Sequence, residues 1–148
     1  MNRALFLSIR PKFVNRILNG YKKVELRRVR PNVASGDLLL IYASSPQKEL
    51  RGFSVVSNVC SGSPQKLWSK FREDAGLSRA EFEDYFYGMA VGFAIQFGPV
   101  FEFEAPIGLN SLKEIWPGFK PPQIYRYFSP DEYSHLLNFG AHRQVFFS

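Results

Sequence analysis

Apolar and polar positions run along the chain in two rhythms. Leu5-Phe6-Leu7-Ser8-Ile9 is short, apolar and β-prone, and predicts a buried strand. Arg10-Pro11 then opens a helix with proline in its first turn. Phe13, Val14, Ile17 and Leu18 recur at helical spacing, and Gly20 stands where a left-handed C-terminal cap belongs. That helix turns one side to a core and shows Lys12 and Arg16 on another. From Lys23 to Arg28 the period becomes two. Val24 and Leu26 share one face and Lys23, Glu25 and Arg27 the other, so Glu25 and Arg27 point the same way, out of the core.

Pro31 to Gly36 reads as a loop, Leu38 to Ala43 as a second apolar strand ended by Ser44-Ser45-Pro46, and Arg51 to Asn58 as a third. Ser63-Pro64 and the capping-box spacing Ser78-Arg79-Ala80-Glu81 each start a helix, with Leu67, Trp68 and Phe71 on the first and Phe82, Tyr85 and Phe86 on the second facing inward. Gly92 to Phe97 and Val100 to Ala105 read as two strands joined by a tight Gly98-Pro99 turn. A short helix over Leu109 to Trp116, an ordered loop from Pro117 to Pro122 and a last helix capped by Ser129-Pro130 complete the chain. Five or six short strands with helices inserted irregularly predict an α+β domain, residues 1–148, built on a small, mostly antiparallel barrel. Fifteen Phe and seven Tyr suit a small barrel, which large aromatics fill with few residues.

Charge adds a direction to this picture. Residues 1–30 hold nine Lys or Arg against the single acid Glu25, a local +8; the other 118 residues hold ten basic and twelve acidic groups, −2, and the two recover the net +6. All the excess positive charge is N-terminal, which suggests a polyanionic partner, nucleic acid before anionic membrane. One cysteine, Cys60, excludes an intrachain disulfide and a thiolate cluster; His135 and His142 have no companions at metal-ligand spacing. No P-loop, dinucleotide fingerprint or nucleophile elbow occurs, so no cofactor or metal is expected. The longest apolar run, Leu38 to Ala43, is far short of the roughly 20 residues that cross a bilayer, and a soluble cytoplasmic protein is expected.

The informative stretch is GYKKVELRR, residues 20–28, where one carboxylate is enclosed by Lys22, Lys23, Arg27 and Arg28. Gly20, Lys22, Glu25 and Arg27 spell G-x-K-x-x-E-x-R, after a helix and entering a strand. This resembles the signature of the ASCH domain family, which has a PUA-like β-barrel. Leu7 to Pro11, Ile41 to Pro46, Arg51-Gly52-Phe53 and Pro121 to Tyr127 are similar to segments of the same family, so the resemblance spans nearly the whole chain. It implies RNA or a modified base bound in a cleft, and for some relatives catalysis: small N4-acetylcytidine amidohydrolases and a ribonuclease belong to the group. Their catalytic set implies Lys22, a threonine where this chain carries Glu25, and a later glutamate, which would be Glu73. The hydroxyl is missing here.

Read from the residues, Arg27 and either Lys22 or Lys23 would hold the Glu25 carboxylate. Three roles then stand open. It accepts from an exocyclic amine on a base edge, it takes a proton as a general base, or it fixes the barrel entrance as a structural ion pair. Arg10, Lys12, Lys23 and Arg28 are phosphate-binding candidates. Ser44 and Ser45 offer donors at a strand end, and Tyr42, Trp116, Tyr125 and Tyr127 offer rings for base stacking, with Arg126 beside them. The expected function is RNA or other nucleic-acid binding, with a nucleoside hydrolase or ribonuclease of the same cleft as the alternative.

Overall fold

A computed structural model describes residues 3–121, 125–139 and 142–145. Its elements run β1 (Ala4–Ile9), α1 (Pro11–Leu18), β2 (Val24–Arg27), β3 (Leu38–Ala43), β4 (Glu49–Gly62), α2 (Pro64–Phe71), α3 (Arg79–Tyr85), β5 (Gly92–Gly108), α4 (Leu109–Ile115), β6 (Tyr125–Phe128), α5 (Pro130–Phe139) and β7 (His142–Val145). All the strands join one sheet in the order β2-β5-β4-β3-β1-β6, with β7 added on β5. Among the described residues only β1 and β3 pair in parallel; the other ladders are antiparallel. The fold is therefore α+β and mostly antiparallel, as the pattern predicts.

The apolar run of β3 lacks alternation because both faces of the sheet are covered. Phe6, Leu40 and Tyr42 enter one cluster with Phe53, Phe103 and Phe128, beside α4 and α5. Leu5, Leu7, Leu39 and Ile41 enter a second, closed by Val14, Ile17 and Leu18 of α1. A third and smaller cluster sets Val24 and Leu26 of β2 against Leu67 and Phe71 of α2 and Phe82 and Phe86 of α3. This last packing places α3 next to β2, and with it one wall of the site described below.

Three expectations need correction. Gly98-Pro99 is not a hairpin turn: β5 continues through it for 17 residues. The pairing jumps from Ser54↔Val100 to Val56↔Phe97, and the Ser54 hydroxyl donates to the carbonyl of Pro99 at 2.9 Å, so proline's missing N–H falls in a bulge and breaks no ladder. Strand β4 runs from Glu49 to Gly62, well past Asn58, because the polar residues Ser57, Asn58 and Ser61 face solvent on a strand still paired to β5. Strands β6 and β7, four residues each, had no clear period in the sequence and draw their order from β1 and β5. His135 lies on α5 and His142 on β7. Among the described residues, no helix is long and apolar enough to cross a membrane.

Candidate functional site

Helix α1 ends where the sequence places its end, with Asn19 as cap and Gly20 at φ 83°. The chain then doubles back, and the N–H groups of Tyr21 and Lys22 both donate to the carbonyl of Arg16, at 2.9 and 3.0 Å. Lys22 pairs with Ala75 in a single β-bridge, and the N–H of Lys23 donates to the carbonyl of Asp74 at 2.7 Å. Gly76 makes that crossing possible. Its φ is +63°, and a Cβ there would lie 2.5 Å from the Cβ of Lys22. The motif lysine is thus pinned from both sides of the backbone before β2 begins.

On β2, Glu25 and Arg27 face away from the third apolar cluster, as period two requires. Glu25 does not reach open solvent, at 7% exposed, nor does Lys22 at 2%, while the Arg27 side chain is 16% exposed. Arg27 Nη2 donates to Glu25 Oε2 at 3.0 Å, and Lys22 Nζ stands 3.7 Å from Glu25 Oε1 while donating to the carbonyl of Ala75 at 2.9 Å. Burial pushes the Lys22 ammonium below its ordinary value, with the adjacent Glu25 carboxylate opposing the shift. Arg27 Nε is buried and has no hydrogen-bond partner.

These three side chains help to line a cleft of about 610 Å³, within the usual range for a small-molecule or single-nucleotide site. Arg10, Lys12 and Phe13 from the start of α1 line it as well, as do Arg28 and Val29 beyond β2. Helix α3 contributes Glu81, Asp84 and Tyr85. Ser78 accepts the N–H of Glu81 at 3.1 Å and Glu81 Oε1 accepts the N–H of Ser78 at 2.9 Å, the reciprocal cap that the spacing predicts. The same Glu81 carboxylate also receives Arg16 Nη1 at 3.1 Å and Lys12 Nζ at 3.2 Å. The Ser78 hydrogen bond, helped by Arg16 and Lys12 against partial burial, holds the Glu81 carboxyl at about 2. The Tyr85 hydroxyl donates to the carbonyl of Leu26 at 3.0 Å and burial raises its pKa; the Arg28 guanidinium lies 4.8 Å from its ring centroid. Among the described residues, no three His, Cys, Asp or Glu side chains converge as metal ligands.

The structure gathers six of the residues singled out in the sequence at this cleft: Arg10, Lys12, Lys22, Glu25, Arg27 and Arg28. Lys23 lines instead a smaller hollow of about 370 Å³ with Phe97 to Val100. Glu73 is exposed on the turn after α2 and does not line the cleft. Glu81 and Asp84 are the later acids that do, and the capping-box spacing was the available signal, because it fixes where α3 starts and hence which residues share its cleft face. Ser44 and Ser45 form the turn after β3, also outside the lining, with the N–H of Ser44 donating to the carbonyl of Ile9 at 2.8 Å. Tyr42 cannot stack on a base, because its ring is buried at 1% exposure among Phe6 and its neighbours. Trp116 stacks on Phe128 at 4.4 Å and donates to the carbonyl of Glu132. Tyr125 and Arg126 lie on β6 opposite Leu7 and Phe6; their side chains, that of Tyr127 and residues 122–124 fall outside the described residues.

An α+β fold with one mostly antiparallel sheet and a G-x-K-x-x-E-x-R segment at its cleft is of the PUA-like class. The chain belongs to the ASCH domain family: the profile described as ASCH domain matches residues 7–101. An ASCH domain-containing ribonuclease of Zymomonas mobilis is 34% identical over 135 residues, covering 89% of this chain and 88% of its own length. The crystal structure of ASCH from Zymomonas mobilis superposes with a TM-score of 0.87 at 32% identity, covering 93% of this chain and 96% of that one. The N-terminal domain of Staphylothermus marinus McrB shares the fold, with a TM-score of 0.57 at 15% identity and 94% coverage of each chain.

Proposed function

We propose that this protein binds RNA in the cleft and cleaves it there as a ribonuclease. The observation that carries the reading is the Lys22–Glu25 pair, 3.7 Å apart, buried at a cleft that Arg10, Lys12 and Arg28 also line. The similar protein named as a ribonuclease supports it. Of the exposed cations, Arg10 and Arg28 hold phosphates, and the buried pair supplies proton transfer. The Glu25 carboxylate takes the proton of a ribose 2′-hydroxyl as its oxygen bonds to the adjacent phosphorus. The P–O5′ bond breaks, and the Lys22 ammonium gives its proton to the departing 5′-oxygen. The products are a 2′,3′-cyclic phosphate and a 5′-hydroxyl. A lysine whose pKa is lowered by burial is a better proton donor near neutral pH than a solvated one, and Arg27, already on Glu25, faces the charge that develops on the phosphate.

End-labelled single-stranded RNA tests this. Wild type yields cyclic-phosphate ends, and the rate survives EDTA within about twofold, as side-chain acid and base groups imply. Lys22→Ala and Glu25→Gln each lower the rate by about 100-fold or more, the usual range for a general acid or base, while filter binding still detects RNA. Wild-type rates in both variants would move the chemistry out of the cleft. No turnover of N4-acetylcytidine is expected, since those enzymes carry threonine where this chain has Glu25.

A further inference from the structure

Glu81 sits in the cleft as a phosphate group would. Both of its oxygens are engaged by cations that a nucleic-acid backbone would seek, Oε1 by Arg16 and Oε2 by Lys12, at 3.1 and 3.2 Å. Unlike Glu25 and its partners, this group is open to a ligand: Lys12, Arg16 and Glu81 side chains are 54%, 34% and 29% exposed. Neither cation depends on Glu81 for its place. Arg16 Nη1 also donates to the carbonyl of Gly76 at 2.7 Å, and Lys12 Nζ lies 4.9 Å from the centroid of the Phe13 ring. Glu81 itself is held by the cap of α3, through the N–H of Ser78. A carboxylate fixed by its own helix between two independently supported cations is an internal substitute for the ligand's charge.

We propose that Glu81 tunes the affinity of the cleft by competing with RNA phosphates for Lys12 and Arg16. The inference rests on the reading of the cleft as an RNA site and adds to it a tuning of affinity. An incoming phosphate must displace Glu81 from both cations and then lie beside its charge and that of Asp84, another acid of α3 at the cleft. The wild type therefore uses fewer of its cations on RNA than it displays, and holds RNA loosely enough to release it.

Glu81→Gln tests the idea with the fold kept, because glutamine serves the same capping box and its amide oxygen still accepts from Ser78. Thermal melting checks the fold, and filter binding of a single-stranded RNA is followed from low to high salt. The expected result is RNA bound about 3- to 10-fold tighter at low salt, with the plot of log affinity against log salt steeper by about 1.4, from two added single-strand contacts of about 0.7 each. Lys12→Ala placed on Glu81→Gln takes back about half of that steepening. An unchanged slope in Glu81→Gln, or weaker binding, overturns the role and makes Glu81 a support for its cations instead. The two readings fail differently. RNA bound by wild type but unaffected by Glu81→Gln removes this inference alone, whereas no RNA bound by either protein at low salt removes the RNA site and this role with it.

Discussion

Glu25 and Glu81 each stand between a lysine and an arginine, at 3.7 and 3.0 Å in the first case and 3.2 and 3.1 Å in the second. The partners are alike and the surroundings are not. Around Glu25 the side chains are 2% to 16% exposed, around Glu81 29% to 54%. In the buried group each charge has lost its water and depends on the others, so the ions interact strongly and removing one strands the rest. In the open group water and salt screen every pair, and the same contacts are worth little. Charge pattern alone therefore does not separate the proposed reaction centre from the proposed adjustable rim; burial does.

Removing Glu25 should give the largest stability effect. Glu25→Ala leaves the Lys22 ammonium buried with no carboxylate, facing the carbonyl of Ala75 and the Phe13 ring, and is expected to lower unfolding free energy by about 3–5 kcal/mol in urea denaturation. A loss below about 1 kcal/mol would put this group on the same footing as the Glu81 group and remove the contrast. Next comes the backbone that sets Lys22. Gly76→Ala requires a positive φ and moves a Cβ onto the lysine, at a cost of about 1–3 kcal/mol, and cleavage should fall with it. Stability lost with cleavage intact would show that the placement of Lys22 tolerates displacement. A smaller effect belongs to Arg28, exposed beside Tyr85. Arg28→Ala should weaken all RNA sequences alike by a few fold and flatten the salt slope by about 0.7, one single-strand phosphate contact. A change in sequence preference would instead assign Arg28 to a base.

How much of this was legible in the sequence follows from the range of the interactions involved. The α1 cap at Gly20, the period of β2 and the capping box at Ser78 are local, and each appears in the structure as its residues imply. The pairing of Glu25 with Arg27 is local too, two residues apart on one strand face. The burial of that pair is not, since it depends on Lys22, held against Ala75, and on the α3 wall of the cleft, both brought in by the tertiary fold. For the same reason Glu81 read only as a cap, and Glu73, the later acid that the resemblance implied, lies on an exposed turn. The Gly98-Pro99 dipeptide carried a turn signal that tertiary pairing overrode, because β4 and β5 stay paired on both sides of the bulge. Strands β6 and β7 were invisible, as four-residue edge segments take their order from a neighbour.

The smallest effect is the one that separates the two carboxylates by pH. At neutral pH Glu81→Gln should change stability by no more than about 1 kcal/mol, the usual worth of exposed pairs. What there is should depend on acid in a definite way. The Glu81 carboxyl lies at about 2 in the folded protein against an ordinary 4.5, so the unfolded chain binds its proton first as pH falls. The stabilisation is complete above 4.5, declines through the window from 4.5 to about 2 and is gone below it. Wild type and Glu81→Gln should therefore converge in urea midpoint across that window. Lys22 gives the opposite test at the other end of the scale. Its pKa is lowered from 10.5, so the folded state sheds the proton first, and wild type should gain on Lys22→Met as pH rises toward 10.5. Convergence in acid without that alkaline gain would mean that Lys22 carries its charge without strain, and burial would then cease to distinguish the Glu25 group from the Glu81 group.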